Sequence, residues 1–243
     1  MIEELKLTKY DKDNAYSYAF GIFPTFELVK NCSDKVIKVI LSTKLKMSPD
    51  VNKLLEICNE KNIKIEYNDK LINRLVSKEN CFVVGVFEKY DSKFISNKNN
   101  IVLVNPSDMG NMGTIMRTML GFNVENLIII KPAVDYFNPK VIRASMGAIF
   151  SLKIKEFDSI SEYLNYSKNK KYFFMLKGKN TLGKFYIDNK KYDLIFGNEA
   201  SGLPDNLLDY DESVVIEHSN KIDSLNLPIS VGIALYEFNK ISK

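Results

Sequence analysis

The sequence predicts an α/β protein with a small N-terminal α/β domain and a larger domain, a parallel sheet with helices on both faces. Short apolar runs rich in Val, Ile and Phe alternate with helical patterns along the 243 residues. In the second part of the chain these runs are continuously apolar, as in parallel strands covered on both sides. Residues 91–100 are rich in Ser, Asn and Lys and have no periodicity, which is typical of a linker. We therefore expect domains over residues 1–97 and 98–243.

The predicted elements of the first domain follow one another closely. A helical pattern begins near Asn14 and is followed by an apolar strand at 36–41. A helix at 51–59, a short strand at 63–66, a further helix and a strand at 82–87 complete the domain. This order predicts a compact α/β unit.

The larger domain contains five runs that we expect to be buried strands. Helical patterns stand between most of them, as the crossover connections of a parallel sheet require. The runs lie at residues 101–104, 127–130, 172–176, 194–196 and 214–216.

Composition limits the possible kinds of site. The chain has 34 Lys and Arg against 30 Asp and Glu, and its net charge of +4 permits an anionic partner without requiring one. Cys32, Cys58 and Cys81 fit neither a disulfide framework nor a zinc site, which favours a reducing cytoplasm. A single histidine, His218, argues against a metal cluster or a Ser-His-Asp triad. With no signal peptide and no membrane-length apolar run, we expect a cytoplasmic protein without metal or membrane association.

The first candidate loop, residues 105–117, runs from a predicted strand end into a helix, where open α/β sheets bind ligands. Arg117 lies off the apolar stripe of this helix and shares a face with Gly113. Alternatively, Asn111 is a helix cap and Arg117 a surface charge. The loop has neither a GxGxxG nor a GxxxxGK(S/T) pattern, so a nucleotide-dependent oxidoreductase has little support. The apolar stripe of the predicted helix, from which Arg117 is excluded, consists of Met112, Ile115, Met116, Met119 and Leu120.

The second candidate loop, residues 197–204, reads GNEASGLP and directly follows a buried strand. Two glycines and a proline predict a tight turn with Glu199 at its tip. The alternative interpretation is a simple turn that carries an exposed acid.

The third candidate loop is Ser224-Leu225-Asn226, which precedes a helical pattern at 227–238. Ser224 or Asn226 could simply cap this helix, with Pro228 in its first turn. The helix has apolar side chains around most of its circumference, which indicates burial on several sides or a subunit interface.

Taken together in this order, the three loops resemble the three motifs of the SpoU-type (TrmH-like) branch of the SPOUT RNA methyltransferases. The resemblance extends from residue 101 to the C-terminus, and residues 143–149, RASMGAI, resemble a further family segment. It implies a parallel α/β sheet whose C-terminal chain forms a trefoil knot, S-adenosylmethionine bound in the knotted loops, and a homodimer. Two departures are Asn105-Pro106 in place of Asp-Pro, and Glu217-His218-Ser219-Asn220 in place of a Pro-Met-x-Gly type of segment.

The resemblance also implies roles for individual residues. Arg117 would activate the ribose hydroxyl, either as a base or as a cation that stabilises the developing alkoxide. Glu199 would orient Arg117 or another group of the site. The catalytic and RNA-site candidates are Asn111, Arg117, Glu199, Ser224 and Asn226. The candidates for cofactor binding are Gly197, Asn198, Gly202, Ile216, Leu225 and Leu227.

The implied function is methyl transfer from S-adenosylmethionine to a ribose 2′-hydroxyl of structured RNA, with ribosomal RNA favoured. The alternatives are a transfer RNA 2′-O-methyltransferase and a non-catalytic RNA-binding protein that retains the fold. The first domain resembles the small substrate-binding domain of family members related to ribosomal RNA-binding proteins. It would then recognise RNA, although a dimerisation or solubility module is the other possibility.

Overall fold

The computed structural model describes residues 6–76, 80–187 and 191–241. They divide into two compact units, each with its own sheet. The first unit comprises the chain up to Tyr90 together with Asp135–Ser151, and the second comprises Asp91–Val134 and the chain from Leu152 onward. The units therefore change over before the boundary expected at residues 97 and 98. In addition, residues 135–151, which we expected in the larger domain, belong to the first unit.

Contacts of the polar stretch at 91–100 explain the earlier boundary. The Ser92 hydroxyl donates to the Ile154 carbonyl (2.8 Å) and accepts from the Ile154 amide (2.6 Å). The Asn126 side chain donates to the Ile95 carbonyl (2.7 Å), and Phe94 packs against a core cluster of the second unit. The stretch is irregular, as its composition predicts, but it is bound to the second unit.

The elements alternate between strands and helices along the chain. Three short 3-10 helices lie at Ser33–Lys35, Ala148–Ser151 and Asp205–Leu207. The others, in chain order, are β1 (Tyr16–Phe20), α1 (Ile22–Asn31), β2 (Val36–Leu41), α2 (Pro49–Glu60), β3 (Ile65–Tyr67), α3 (Asp69–Leu75), β4 (Val83–Glu88), β5 (Asn100–Val104), α4 (Met109–Gly121), β6 (Asn126–Ile130), α5 (Pro139–Ala144), β7 (Lys153–Phe157), α6 (Ile160–Tyr166), β8 (Lys170–Phe174), β9 (Asn180–Thr181), β10 (Tyr192–Phe196), β11 (Glu212–Val215) and α7 (Leu227–Ile241).

The first unit contains a four-stranded sheet in the order β1-β4-β2-β3, in which β4 runs antiparallel to β1 and β2. The helix predicted from Asn14 is wrong at its start, because β1 occupies these residues. Tyr16 contacts Tyr18 edge to face at 5.7 Å between ring centroids, and Tyr18 stacks on Phe20 at 5.6 Å. Aromatic residues with a period of two share one face of a strand. The chain turns at Gly21, whose φ is 101°, and enters α1.

The second unit contains a seven-stranded sheet in the order β7-β6-β5-β10-β8-β11-β9. All its strand pairings are parallel, which confirms the predicted parallel α/β fold. Each of the five predicted strands is present, with ends shifted by one or two residues. The sequence does not predict β7, which is an edge strand with the sequence KIKEF, because an edge strand carries charges that interrupt the apolar pattern. Within the described residues, no helix is long and apolar enough to cross a membrane.

Helices cover both faces of this sheet. On one face, Tyr163 of α6 belongs to the same core cluster as Phe173 of β8. Tyr172 is next to Phe173 in β8, and neighbouring side chains along a strand point to opposite faces. On that other face, Phe238 of α7 contacts Tyr172 at 4.8 Å and Tyr192 at 4.9 Å between ring centroids. The burial predicted for the terminal helix is therefore found on one of its sides.

Polar side chains at the amino ends of the strands serve packing. Asp193, at the start of β10, is fully buried. Its carboxylate accepts hydrogen bonds from Asn100 (2.6 Å), Ser167 (2.6 Å) and Asn169 (2.8 Å). This network holds the amino ends of β5 and β10 together.

Candidate active site

The candidate residues lie in three loops at the carboxyl ends of the second sheet and in the helices α4 and α7, which follow two of these loops. The three loops are loop 1 (residues 105–108, after β5), loop 2 (197–204, after β10) and loop 3 (216–226, after β11). From β5 the chain proceeds outward to β6 and β7, and then returns to β8 on the far side of β10. This change of direction next to β10 is a topological switch point, where open α/β sheets bind ligands.

Loop 2 closes tightly on itself, which requires glycine at two positions. A Cβ atom on Gly197 would lie 2.1 Å from the carbonyl carbon of Gly202, and Gly202 itself has a φ of 67°. The Asn198 carbonyl accepts from the Gly202 amide (2.9 Å), and the Asn198 side chain accepts from the Ala200 amide (2.9 Å). The predicted tight turn is therefore present, with Glu199 within it.

Asn198 also attaches loop 2 to loop 1. Its Nδ2 donates to the Asn105 carbonyl (2.7 Å) and to the Ser107 hydroxyl (3.3 Å). Asn105 has a φ of 52°, in the left-handed region that Asn tolerates better than most residues. The residue that departs from the family's Asp-Pro opening thus suits the turn that it forms.

The Glu199 carboxylate makes the main connection between loops 1 and 2. Oε2 accepts from the Ser107 hydroxyl (2.8 Å) and amide (3.2 Å). Oε1 accepts from the Asp108 amide (3.3 Å) and from Nδ2 of Asn111 (3.3 Å). The two loops, distant in sequence, therefore form one structure around this side chain.

These hydrogen bonds keep Glu199 ionised. Partial burial raises the pKa of its carboxyl. Hydrogen bonds from the main chain and from Ser107 and Asn111 together lower this pKa by more than burial raises it, so the net pKa is below the ordinary value of 4.5. A negative charge in loop 2 is therefore a permanent feature at neutral pH.

The start of α4 places Asn111 and Arg117 differently. Asp108 is the N-cap, because its side chain accepts from the Asn111 amide (2.7 Å), so the interpretation of Asn111 as the cap is wrong. Asn111 instead lies in the first turn and bonds Glu199. Arg117 lies farther along α4, where its side chain is exposed and forms no ion pair or hydrogen bond with the part of the chain that the structure describes. Glu199 therefore contacts Asn111 and not Arg117.

A pocket of about 290 Å³ lies at the carboxyl ends of β8, β10 and β11. All six residues that the resemblance assigns to the cofactor line it, as do Glu199 and Ser224. Asn111, Arg117 and Asn226 are not among its lining residues. The six are Gly197, Asn198, Gly202, Ile216, Leu225 and Leu227.

Sequence reasoning missed one wall of this pocket, the segment after β8. Met175, Leu176 and Lys177 line the pocket there, and Lys177 forms an ion pair with Asp205 (2.8 Å). Gly178 follows, and a Cβ atom there would lie 2.4 Å from the main-chain carbonyl carbon of Val214. A glycine in the turn that follows a strand is the signal that could have indicated this close approach.

Loop 3 brings the third motif to the pocket and to the start of α7. Ser224 is exposed at the pocket wall. Asn226 directly precedes α7, and its carbonyl accepts from the Ile229 and Ser230 amides, each at 3.0 Å. Nδ1 of His218, a further lining residue that the sequence analysis did not select, lies 2.8 Å from the Ile216 carbonyl oxygen.

Together, the sheet and pocket define a parallel α/β protein with a small-molecule site at its switch point, and the comparisons with known proteins specify this class further. Residues 98–236 match the profile of the SpoU rRNA Methylase family. The "Uncharacterized tRNA/rRNA methyltransferase" of Borreliella burgdorferi is 29% identical over 182 residues, which cover 73% of this chain and 76% of that protein.

Solved structures resemble the chain as well. The AdoMet-bound rRNA methyltransferase from Sinorhizobium meliloti superposes with a TM-score of 0.77 at 24% identity, covering 93% of this chain and 87% of that one. A structure concerned with 2-OH methylation of C/U34 on tRNA has a TM-score of 0.55 at 26% identity, covering 59% and 95%. The chain belongs to the SpoU rRNA methylase family, a family of RNA methyltransferases, which confirms the resemblance found in the sequence.

Proposed function

We propose that this protein transfers the methyl group of S-adenosylmethionine to a ribose 2′-hydroxyl of ribosomal RNA. One observation carries the proposal, namely the connection of a small-molecule pocket to an exposed arginine. Glu199 in loop 2 borders the pocket and is hydrogen-bonded to the start of α4, the helix that carries Arg117. A methyl donor in the pocket and an RNA on α4 would meet at this connection.

The pocket residues fit S-adenosylmethionine in size and chemistry. A volume of about 290 Å³ is near the lower end of small-molecule sites. Leu203, Leu225 and Leu227 provide apolar walls suited to an adenine ring, while Ser224 and main-chain groups provide polar partners. A Cβ atom on Gly202 would meet no atom within 4 Å, so the main chain there borders open space. The cofactor in the related Sinorhizobium meliloti structure supports this assignment.

When bound, S-adenosylmethionine supplies an electrophilic methyl carbon. The protein must hold the ribose oxygen in line with that carbon and stabilise the negative charge that develops as the hydroxyl proton leaves. We assign the charge stabilisation to Arg117, whose guanidinium is exposed and forms no ion pair in the described part of the chain. A guanidinium keeps its proton and binds phosphate or an oxyanion in a bidentate manner, so Arg117 acts as a cation and not as a base.

The other candidates then have orienting roles. Glu199 is a positioning residue, because it fixes loop 1 and the first turn of α4 through Ser107 and Asn111. Asn111, Ser224 and Asn226 are the neutral groups that would orient the ribose and the methyl donor. Their amide and hydroxyl groups can donate and accept hydrogen bonds without adding charge.

The first unit has a surface suited to unpaired RNA bases. Its large exposed apolar side chains include Phe23 and Tyr67, which are 54% and 60% exposed. They belong to a set of exposed side chains at one end of the sheet, where β1, β2 and β3 end and β4 begins. Lys44 and Lys46 lie at the same end, in the loop after β2. Aromatic side chains stack on unpaired bases and lysines contact phosphates. We therefore assign RNA binding to this unit. The set consists of Phe23, Met47, Tyr67 and Phe82, together with Met146, which adjoins the Gly147 contact with Pro24.

The proposed assembly is a homodimer that uses the outer side of α7. Val231 and Phe238 are buried on the inner side of this helix, and Phe238 contacts Tyr172 and Tyr192 of the sheet. Its outer side exposes Ile229 and Tyr236, which are 55% and 56% exposed. Large apolar side chains on the outside of a largely apolar helix favour contact with a second copy.

The experiment that tests the proposed function is methyl transfer from labelled S-adenosylmethionine to unmodified ribosomal RNA and transfer RNA. We expect label in ribosomal RNA, at a single nucleotide that nuclease mapping identifies. Label in transfer RNA alone would replace the proposed substrate with the second candidate, which the tRNA-directed relative supports. No label, despite cofactor binding, would indicate a non-catalytic RNA-binding protein.

A further inference from the structure

His218 is a pocket residue whose chemistry the proposed function has not used. It lies in loop 3, lines the pocket and is half-buried. The loop is anchored on the neighbouring residue, because the Glu217 carboxylate binds Nζ of Lys184 at 2.7 Å. The His218 ring itself is held at the pocket wall by its hydrogen bond to the Ile216 carbonyl.

The hydrogen bond of His218 determines which of its ring nitrogens carries the proton. Nδ1 lies 2.8 Å from the carbonyl oxygen of Ile216. A carbonyl oxygen can only accept, so Nδ1 must be the donor. In a neutral imidazole the other nitrogen, Nε2, is then an acceptor without a proton. Nε2 forms no hydrogen bond with the residues that the structure describes.

The other charged or amide side chains at the pocket are engaged with the protein. Asn198 and Glu199 are bonded to loop 1, and Lys177 is paired with Asp205. The serines of the lining can donate as well as accept. Nε2 of His218 is therefore a side-chain acceptor at the pocket that has no partner among the described residues, and a ligand with an N–H or O–H group complements it.

We infer that His218 is a cofactor-binding residue whose Nε2 accepts a hydrogen bond from an N–H or O–H group of S-adenosylmethionine. This inference rests on the proposed function, which places that cofactor in the pocket. It assigns to the side chain a recognition role that replaces neither Arg117 nor Glu199.

Because the chain has one histidine, nuclear magnetic resonance observes this residue without ambiguity. We would label histidine with nitrogen-15, choose a pH at which the spectrum of the free protein itself shows a neutral ring, and titrate S-adenosylmethionine. The free protein should give a protonated Nδ1 and an unprotonated Nε2. On binding, the Nε2 signal should move toward the position of a protonated nitrogen while Nδ1 stays nearly unchanged. An unmoved Nε2 signal at saturation, or a proton on Nε2 in the free protein, would overturn the inference.

Calorimetric binding of S-adenosylmethionine to variants provides a second test. His218→Phe should weaken binding about tenfold, as expected for one lost hydrogen bond. His218→Gln, which restores an acceptor, should stay within about threefold of the wild type. Asn220→Ala, at an exposed position in the same loop, is the matched control. Equal affinity of the Phe variant and the wild type would refute the role of His218 alone, whereas a wild type that binds no cofactor would refute the proposed function itself.

Discussion

At the scale of single residues, one carboxylate connects the pocket to the helix of the proposed RNA-binding arginine. Glu199 accepts hydrogen bonds from Ser107, Asp108 and Asn111, and its pKa lies below the ordinary value of 4.5. A pKa that folding lowers contributes stability above the unfolded pKa, and this stability disappears as the pH falls through the folded pKa. The connection should therefore be intact at neutral pH and lost only in acid below pH 4.5.

Glu199→Gln tests this connection. The variant loses the charge, and its NH₂ group faces N–H donors that the carboxylate of the wild type accepts from. We therefore expect the free energy of unfolding to be about 1 to 3 kcal/mol lower. Denaturant unfolding of both proteins across pH measures the difference. It should be constant above pH 4.5 and shrink below it. The control is Ser201→Ala, at an exposed position of the same loop. A difference that persists unchanged into strong acid would contradict the account.

Arg117→Ala tests the assignment of charge stabilisation. Removal of a group that acts on the transition state should lower methyl transfer about 100- to 1,000-fold. Arg117→Lys should restore little activity, because an ammonium group does not reproduce the bidentate geometry. Arg117 does not line the pocket, so cofactor affinity measured by calorimetry should be unchanged in both variants. Loss of cofactor binding would contradict the proposed role.

At the scale of secondary-structure elements, the sequence predicts the buried central strands well and the strands at the sheet edges poorly. β5, β6 and β10 are buried at every position, and each leaves a continuous apolar run after the polar residue near its amino end. β7 and β1 are edge strands, and neither leaves a continuous apolar run, because β7 contains charged residues and the sequence of β1 is YSYAF. Long-range pairing, which defines these strands, is not written in a local window of sequence.

The candidate site is predictable to the same extent. Glycines and polar residues after apolar runs identify loops 1, 2 and 3, because a strand end and a tight turn are local features. The hydrogen bond from Asn111 to Glu199 joins residues 88 positions apart and has no local signal. The cap at Asp108 also depends on where α4 begins, and Asn111 was an equally acceptable cap by residue type.

Phe238→Ala tests how α7 is attached to the sheet. The ring is buried between Tyr172 and Tyr192, so its removal leaves a cavity and should lower the free energy of unfolding by about 3 to 5 kcal/mol. Lys240→Ala, which removes an exposed ion pair with Glu237 on the same helix, should change it by less than about 1 kcal/mol. Denaturant titration gives both values. Similar small losses in the two variants would mean that α7 does not depend on this contact.

At the scale of the whole molecule, two compact units provide surfaces of different character. The second unit has the pocket and the exposed Arg117, and the first has the exposed aromatic residues at one end of its sheet. Family membership and the parallel sheet are established, whereas the trefoil knot, the homodimer and RNA binding by the first unit stay predictions. They follow from the resemblance and from exposed side chains, and no pattern in the sequence encodes a knot.

The chemical position of the transferred methyl group tests the central claim most directly. RNA that the protein has labelled from methyl-labelled S-adenosylmethionine would be treated with alkali until every susceptible linkage is cleaved. Alkaline cleavage requires a free 2′-hydroxyl, so a 2′-O-methyl group leaves the label in an alkali-resistant dinucleotide, which is the result that we predict. Label recovered in ordinary mononucleotides would place the methyl group on a base and contradict the account.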